Sequence, residues 1–121
     1  MEISAKLQIK PGQRLAIVTE TDEAPDLATE GTELADSPAG ADVVVAFIRT
    51  RAGLDAVAAP AVDAARQDKL AWIAYPKARQ LGTDLNRDLL AAALTERGVQ
   101  PVRQISIDGT WSALRFRPAD K

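Results

Sequence analysis

The stretch ADVVVAFIRT, residues 41–50, decides how the chain is read. From Val43 to Ile48 it is apolar without interruption. A strand with one wet face alternates apolar and polar side chains. A run with no alternation fits a strand covered on both faces, as in a parallel sheet. The run stops at Arg49-Thr50-Arg51, where a buried strand would meet water. A second run of the same kind, KLAWIAY at 69–75, lies downstream. Between the two, Asp55 to Gln67 reads as helix, with Leu54, Val57, Ala61 and Ala65 on one stripe. Pro60 interrupts that pattern. Either the helix kinks there or a second short helix starts with Pro60 in its first turn.

Working outward, LAIVT at 15–19 is entered from a Pro11-Gly12 turn and predicts a first strand over Arg14–Glu20. Ile3–Leu7 reads as a short helix or irregular lead. The acidic, small-residue segment TDEAPDLATEGTELADSPAG, 21–40, predicts a short helix at Ala24–Ala28 and a short strand at Thr32–Ala35. Downstream, Asp84–Arg97 predicts a helix with Leu85, Leu89, Ala92 and Leu94 facing the core. Gly98 sits just past its end, and Pro101 follows. VRQISID and WSALRFR are then two strands separated by a turn containing Asp108-Gly109, a strong hairpin signal. The expected fold is α/β: a Rossmann-like three-layer sandwich, with a mostly parallel sheet ending in an antiparallel hairpin. One such domain is expected to span residues 1–121.

The element order from Ala41 onward resembles the C-terminal half of the class I methyltransferase fold. The segments AFIRTRAGLD, WIAYPK, TDLNRDLL and TWSALRFRP also resemble a family of short bacterial proteins whose domain has no assigned activity. That likeness covers Ala41 to Pro118 and implies a Rossmann-like domain without implying a reaction. In the methyltransferase fold the first strand runs into a glycine-rich loop. Here it runs into TETDEAPDL, and no glycine occurs from Thr19 to Glu30. Glu20, Asp22 and Glu23 would repel a dinucleotide pyrophosphate at that place. S-adenosylmethionine, which carries no phosphate, is less disfavoured. No cofactor is expected.

Composition excludes several kinds of chemistry. The chain has no cysteine and no histidine. Disulfides, thiolate chemistry, Cys-based zinc sites and a Ser-His-Asp triad are therefore ruled out. Acid–base work would fall to carboxylates, lysine or Tyr75. No metal site is expected; the one oxygen-ligand pair considered is Asp84 with Asp88, four apart on one helix face. The net charge of −2 is uneven: residues 1–42 carry nine acids and three bases, and residues 43–121 carry eight acids and twelve bases. That asymmetry suits a solvated surface, or a bipolar one that self-associates or steers a charged partner. Nucleic-acid binding is not expected from a pI near 5.1. A membrane span and a secretory leader are not expected either, so a cytoplasmic location is the default.

In an open α/β sheet, ligands sit beyond the carboxyl ends of the strands. Three loops should meet there: Glu20–Asp22, Arg49–Arg51, and Tyr75–Arg79 with Thr83-Asp84. The candidate ligand residues are Arg49, Arg51, Lys77, Arg79 and Asp84, suited to an anionic metabolite. The alternative is an ion-pair network in which Arg49 and Arg51 pair with Asp84, Asp88 or the acidic loop. Thr83 or Asp84 would cap the following helix. In TWSALRFR, Trp111, Arg115 and Arg117 share one face of the strand. They would bind a ring and an anion, or protect a sheet edge by charge. Trp72 is expected in the core, and Tyr75 at the rim. The expected function is a non-catalytic module acting through a protein partner or a homodimer, with an anion or metabolite site at this rim. The alternative is a divergent transferase that takes S-adenosylmethionine or a nucleotide.

Overall fold

The computed structural model of the protein describes residues 13–19, 33–34, 41–51, 53, 58–77, 85–107 and 109–118. In chain order the elements are β1 (Arg14–Thr19), β2 (Glu33–Leu34), β3 (Val43–Phe47), α1 (Ala59–Arg66), β4 (Leu70–Pro76), α2 (Arg87–Thr95), β5 (Val99–Ser106) and β6 (Trp111–Pro118). The strands form one sheet in the order β2-β1-β3-β4-β6-β5. β2, β1, β3 and β4 pair in parallel. β6 runs antiparallel to both of its neighbours, β4 and β5.

The expected Rossmann-like three-layer sandwich with a mostly parallel sheet is corrected on two counts. First, the sheet is mixed. The chain crosses from β4 through α2 to the outer edge, and the hairpin then returns β6 into the gap between β4 and β5. One reversed strand inside the sheet creates two antiparallel ladders, and these are longer than any of the parallel ones. Second, both described helices lie on one face. Ala61, Val62, Ala64 and Ala65 of α1 and Leu90 and Leu94 of α2 join a core with Ala16, Val44, Ala46, Ala71, Ile73, Leu114 and Phe116. The other face holds Leu15, Val43, Val45, Phe47, Trp72, Ala74, Trp111 and Ala113, with no described helix residue among them.

Strand composition explains both faces. In β3 and β4, successive side chains go to opposite cores, and all of β3 is buried. The unbroken apolar runs are therefore two interleaved stripes. Trp72 is fully buried, and Trp111 meets Phe47 edge-on at 5.2 Å with the rings 82° apart, a favoured aromatic geometry.

Helix ends follow local chemistry. α1 begins without a side-chain cap, and Pro60 occupies its first turn, where a missing N–H breaks no hydrogen bond. It closes in a double turn: Lys69 N–H donates to Ala64 C=O and Asp68 N–H to Ala65 C=O. Asp68 takes the left-handed position, φ 61°, that glycine usually fills. α2 is capped by Asn86, whose side chain accepts from Leu89 N–H at 2.9 Å. The expected cap positions Thr83 and Asp84 lie outside the described residues. With the helix starting at Arg87, its inner stripe is Leu90 and Leu94. Leu89, expected in the core, is 40% exposed, and Ala92 is exposed. The helix ends at Thr95, short of the expected Arg97, and a turn through Glu96 and Arg97 reaches Gly98 at φ 87°.

The hairpin stands where Asp108-Gly109 places it, with Ile107 N–H donating to Trp111 C=O. β5, not β6, is the sheet edge. It carries Pro101 and a bulge between Pro101 and Arg103, both features of edge strands.

Candidate functional site at the carboxyl end of the sheet

β1, β3 and β4 run side by side and end at the same rim. Phe47 is level with Ala74, so Arg49-Thr50-Arg51 emerges beside Pro76-Lys77. The hairpin reaches the same place: Lys77 N–H donates to Thr110 C=O at 2.7 Å. The Lys77 ammonium donates to Ser106 Oγ, also at 2.7 Å. Backbone and side chain of Lys77 are thus both tied to the β5–β6 hairpin, which fixes the charge at the rim. An ammonium has three donors, so two remain for other partners.

Arg49 and Thr50 are half-buried and Arg51 is exposed. Ile48 N–H donates to Ala74 C=O, and Gly53 N–H to Thr50 C=O. The strand pairing therefore continues through Ile48, and a turn at Thr50 carries the two arginines across the sheet end. Of the five expected ligand residues, the fold brings Arg49, Arg51 and Lys77 to one rim. Arg79 and Asp84 lie outside the described residues, as does the Glu20–Asp22 loop.

Next to Lys77, on the helix-bearing face, lies a polar row that single-strand reading misses. Tyr75 stands opposite Ser112, and Ser112 opposite Ser106, across three strands. Ser112 and Tyr75 are both buried. Two residues inward along β5, Gln104 Nε2 donates to the Tyr75 hydroxyl at 3.4 Å. That hydroxyl accepts this long bond and keeps its own proton to donate. Burial raises the Tyr75 phenol above its ordinary value; Arg87 nearby lowers it and Asp88 raises it. Tyr75 is therefore a neutral donor at physiological pH. The only sequence signal for this row is an apolar strand ending in a tyrosine. The two serines become visible only once the register is known.

Two expected arrangements are changed in part. In the alternative ion-pair network, Asp88 pairs with its sequence neighbour Arg87, at 3.5 Å on the surface, while Asp84 and the acidic loop, its other members, lie outside the described residues. The Trp111–Arg115–Arg117 face is not an open stacking platform. Trp111 is core, and Arg117 clasps Asp68 through two bonds of 2.9 and 3.2 Å at the opposite end of the sheet. Among the described residues, no group of three or more His, Cys, Asp or Glu side chains could hold a metal ion. No described helix is long and apolar enough to cross a membrane. No protein-family model matches the chain, and no curated protein matches its sequence.

Proposed function

We propose that this chain is a small cytoplasmic binding module, acting without catalysis, that takes a small anionic metabolite at the carboxyl end of its sheet. One observation carries the reading. Lys77 is held at the rim by Ser106 and Thr110, beside the strand end that presents Arg49 and Arg51. A fixed ammonium loses less side-chain freedom on binding than a free one, so its contact with an anion is worth more. Arg49 and Arg51 supply planar donor forks that match carboxylate or phosphate oxygens. Tyr75 and Ser112 stand behind them as neutral hydrogen-bonding groups. A partner protein or second copy would read the ligand-bound state.

The test is a thermal-shift panel on the whole chain with inorganic phosphate, succinate, magnesium and S-adenosylmethionine. A ligand at a hundred times its dissociation constant stabilises the fold by about 2.7 kcal/mol, a shift of several degrees for a domain this size. Phosphate or succinate should raise the melting temperature, and Lys77→Ala and Arg49→Ala should abolish the rise. No rise with either anion would refute the reading.

A second reading has its own observation. β1 lies between β2 and β3, so the chain leaves β1 on one side and β3 on the other. Such a switch point is where open α/β sheets take nucleotide-like ligands. A shift with S-adenosylmethionine that survives Lys77→Ala would replace the anion module by a transferase.

A further inference from the structure

We propose that the outer edge of β5, from Val102 to Ile105, is a docking strand for an extended acidic segment of a partner protein. This surface is separate from the rim proposed above. Among the described strands, β5 is the last of the sheet and pairs on one side only, with β6. The bulge leaves Val102 without a cross-strand partner and 47% exposed; Val102 and Leu89 are the exposed large apolar residues among those described. Immediately after it, Arg103 stands directly opposite Arg115. Like charges in that relation repel, and neither sheet pairing nor core packing requires them here.

Both arginines lie on the face that carries no described helix, because Arg115 alternates with Leu114 and Phe116 of the helix-side core. Arg117, next on that face, has Asp68 as its clasp. Arg103 is exposed, and no carboxylate among the described residues pairs with it. The edge thus offers a ladder of backbone groups, one apolar anchor and an uncompensated positive charge. An added strand with alternating carboxylates would satisfy all three. Pro101 has no N–H, so the paired length ends at Val102.

The open ladder favours a peptide over a nucleic acid, since backbone pairing needs an extended polypeptide. A second copy paired antiparallel about Arg103 would set that arginine against its own counterpart, and β5 carries no carboxylate to answer it.

The probe is a fluorescein-labelled octapeptide of alternating glutamate and valine, read by anisotropy against the whole chain. Controls are the lysine–valine counterpart and a single-stranded RNA octamer. The acidic peptide should bind and weaken with added salt. Arg103→Glu should reduce its affinity by about tenfold or more, while Arg103→Lys retains most of it. The melting temperature of Arg103→Glu should match the parent, which separates lost binding from lost folding. Unchanged affinity in Arg103→Glu overturns the proposal, as does equal binding of the lysine peptide. Preferential binding of the RNA overturns it in favour of nucleic acid. A dimer in sedimentation that Arg103→Glu dissociates would make the occupant a second copy and overturn it too.

Discussion

The two ends of the sheet use the same residue types differently. At the amino end, charged side chains close the fold on itself. Asp42 and Arg14 exchange two bonds, Asp42 N–H to Arg14 C=O and Arg14 N–H to the Asp42 carboxylate. Arg66, at the end of α1, donates twice to Arg97 C=O, at the end of α2, so one guanidinium ties both helix C-termini together. Arg117 clasps Asp68 in the turn that leaves α1. At the carboxyl end, Lys77 is fixed by a neutral serine and Tyr75 by a neutral amide. A cation fixed by a neutral hydroxyl keeps its full charge for a ligand; a cation answered by a carboxylate does not. On the reading proposed above, the comparison teaches that the charge at a sheet end to probe first is the one held by neutral partners, as Lys77 is.

The comparison breaks most readily at Gly98. A Cβ there would meet only Arg66 Nε at 3.9 Å, ordinary contact, so the cost of Gly98→Ala comes from φ 87° alone. It should be about 1–2 kcal/mol, read in urea melts, with anion binding unchanged. Asn86→Ala removes the cap of α2 and should cost about 1 kcal/mol. Because that cap lies at the carboxyl end, the variant also asks whether the proposed binding end carries any stability of its own. Lys77→Ala should stay within about 0.5 kcal/mol of the parent while losing its anion response.

The two smallest effects are pH dependences of opposite sign. Tyr75 is raised in the folded state, so its contribution is complete below the ordinary tyrosine range and is lost as pH climbs through the raised value. Tyr75→Phe should flatten the alkaline fall in melting temperature. Asp68 is lowered, first by its hydrogen bond to Arg117, so its contribution is present above the ordinary carboxylate range and is lost as pH falls through the lowered value. Asp68→Asn tolerates the left-handed backbone but should remove that acid-side loss.

Much of the architecture could be read from local sequence. Val43–Ile48 and Leu70–Tyr75 have no partition between wet and dry, and both proved buried apart from the half-buried Leu70. Pro60 stands in the first turn of α1, one of the two readings its place left open, and Gly98 takes the positive-φ position in the turn after α2. The start of α2 was not legible for a simple reason: TDLN offers three good capping residues within four positions. Moving the start to Arg87 rotates the buried stripe from Leu89 to Leu90. The layer arrangement failed for a different reason. Which face a helix covers depends on crossover geometry between distant strands, and no local period encodes it. Insertion of β6 between β4 and β5 is likewise nonlocal, and so is the Tyr75–Ser112–Ser106 row. The cations Arg49, Arg51 and Lys77 were visible because strand direction alone sends them to one end.

The most direct test of this division is to titrate the isotope-labelled chain with inorganic phosphate and follow backbone amide shifts. Perturbations confined to Arg49–Arg51, Lys77, Ser106 and Thr110, with Asp42, Arg66, Asp68 and Arg97 unmoved, are the predicted result. Perturbations centred on the amino-end group, or none at all, would contradict it.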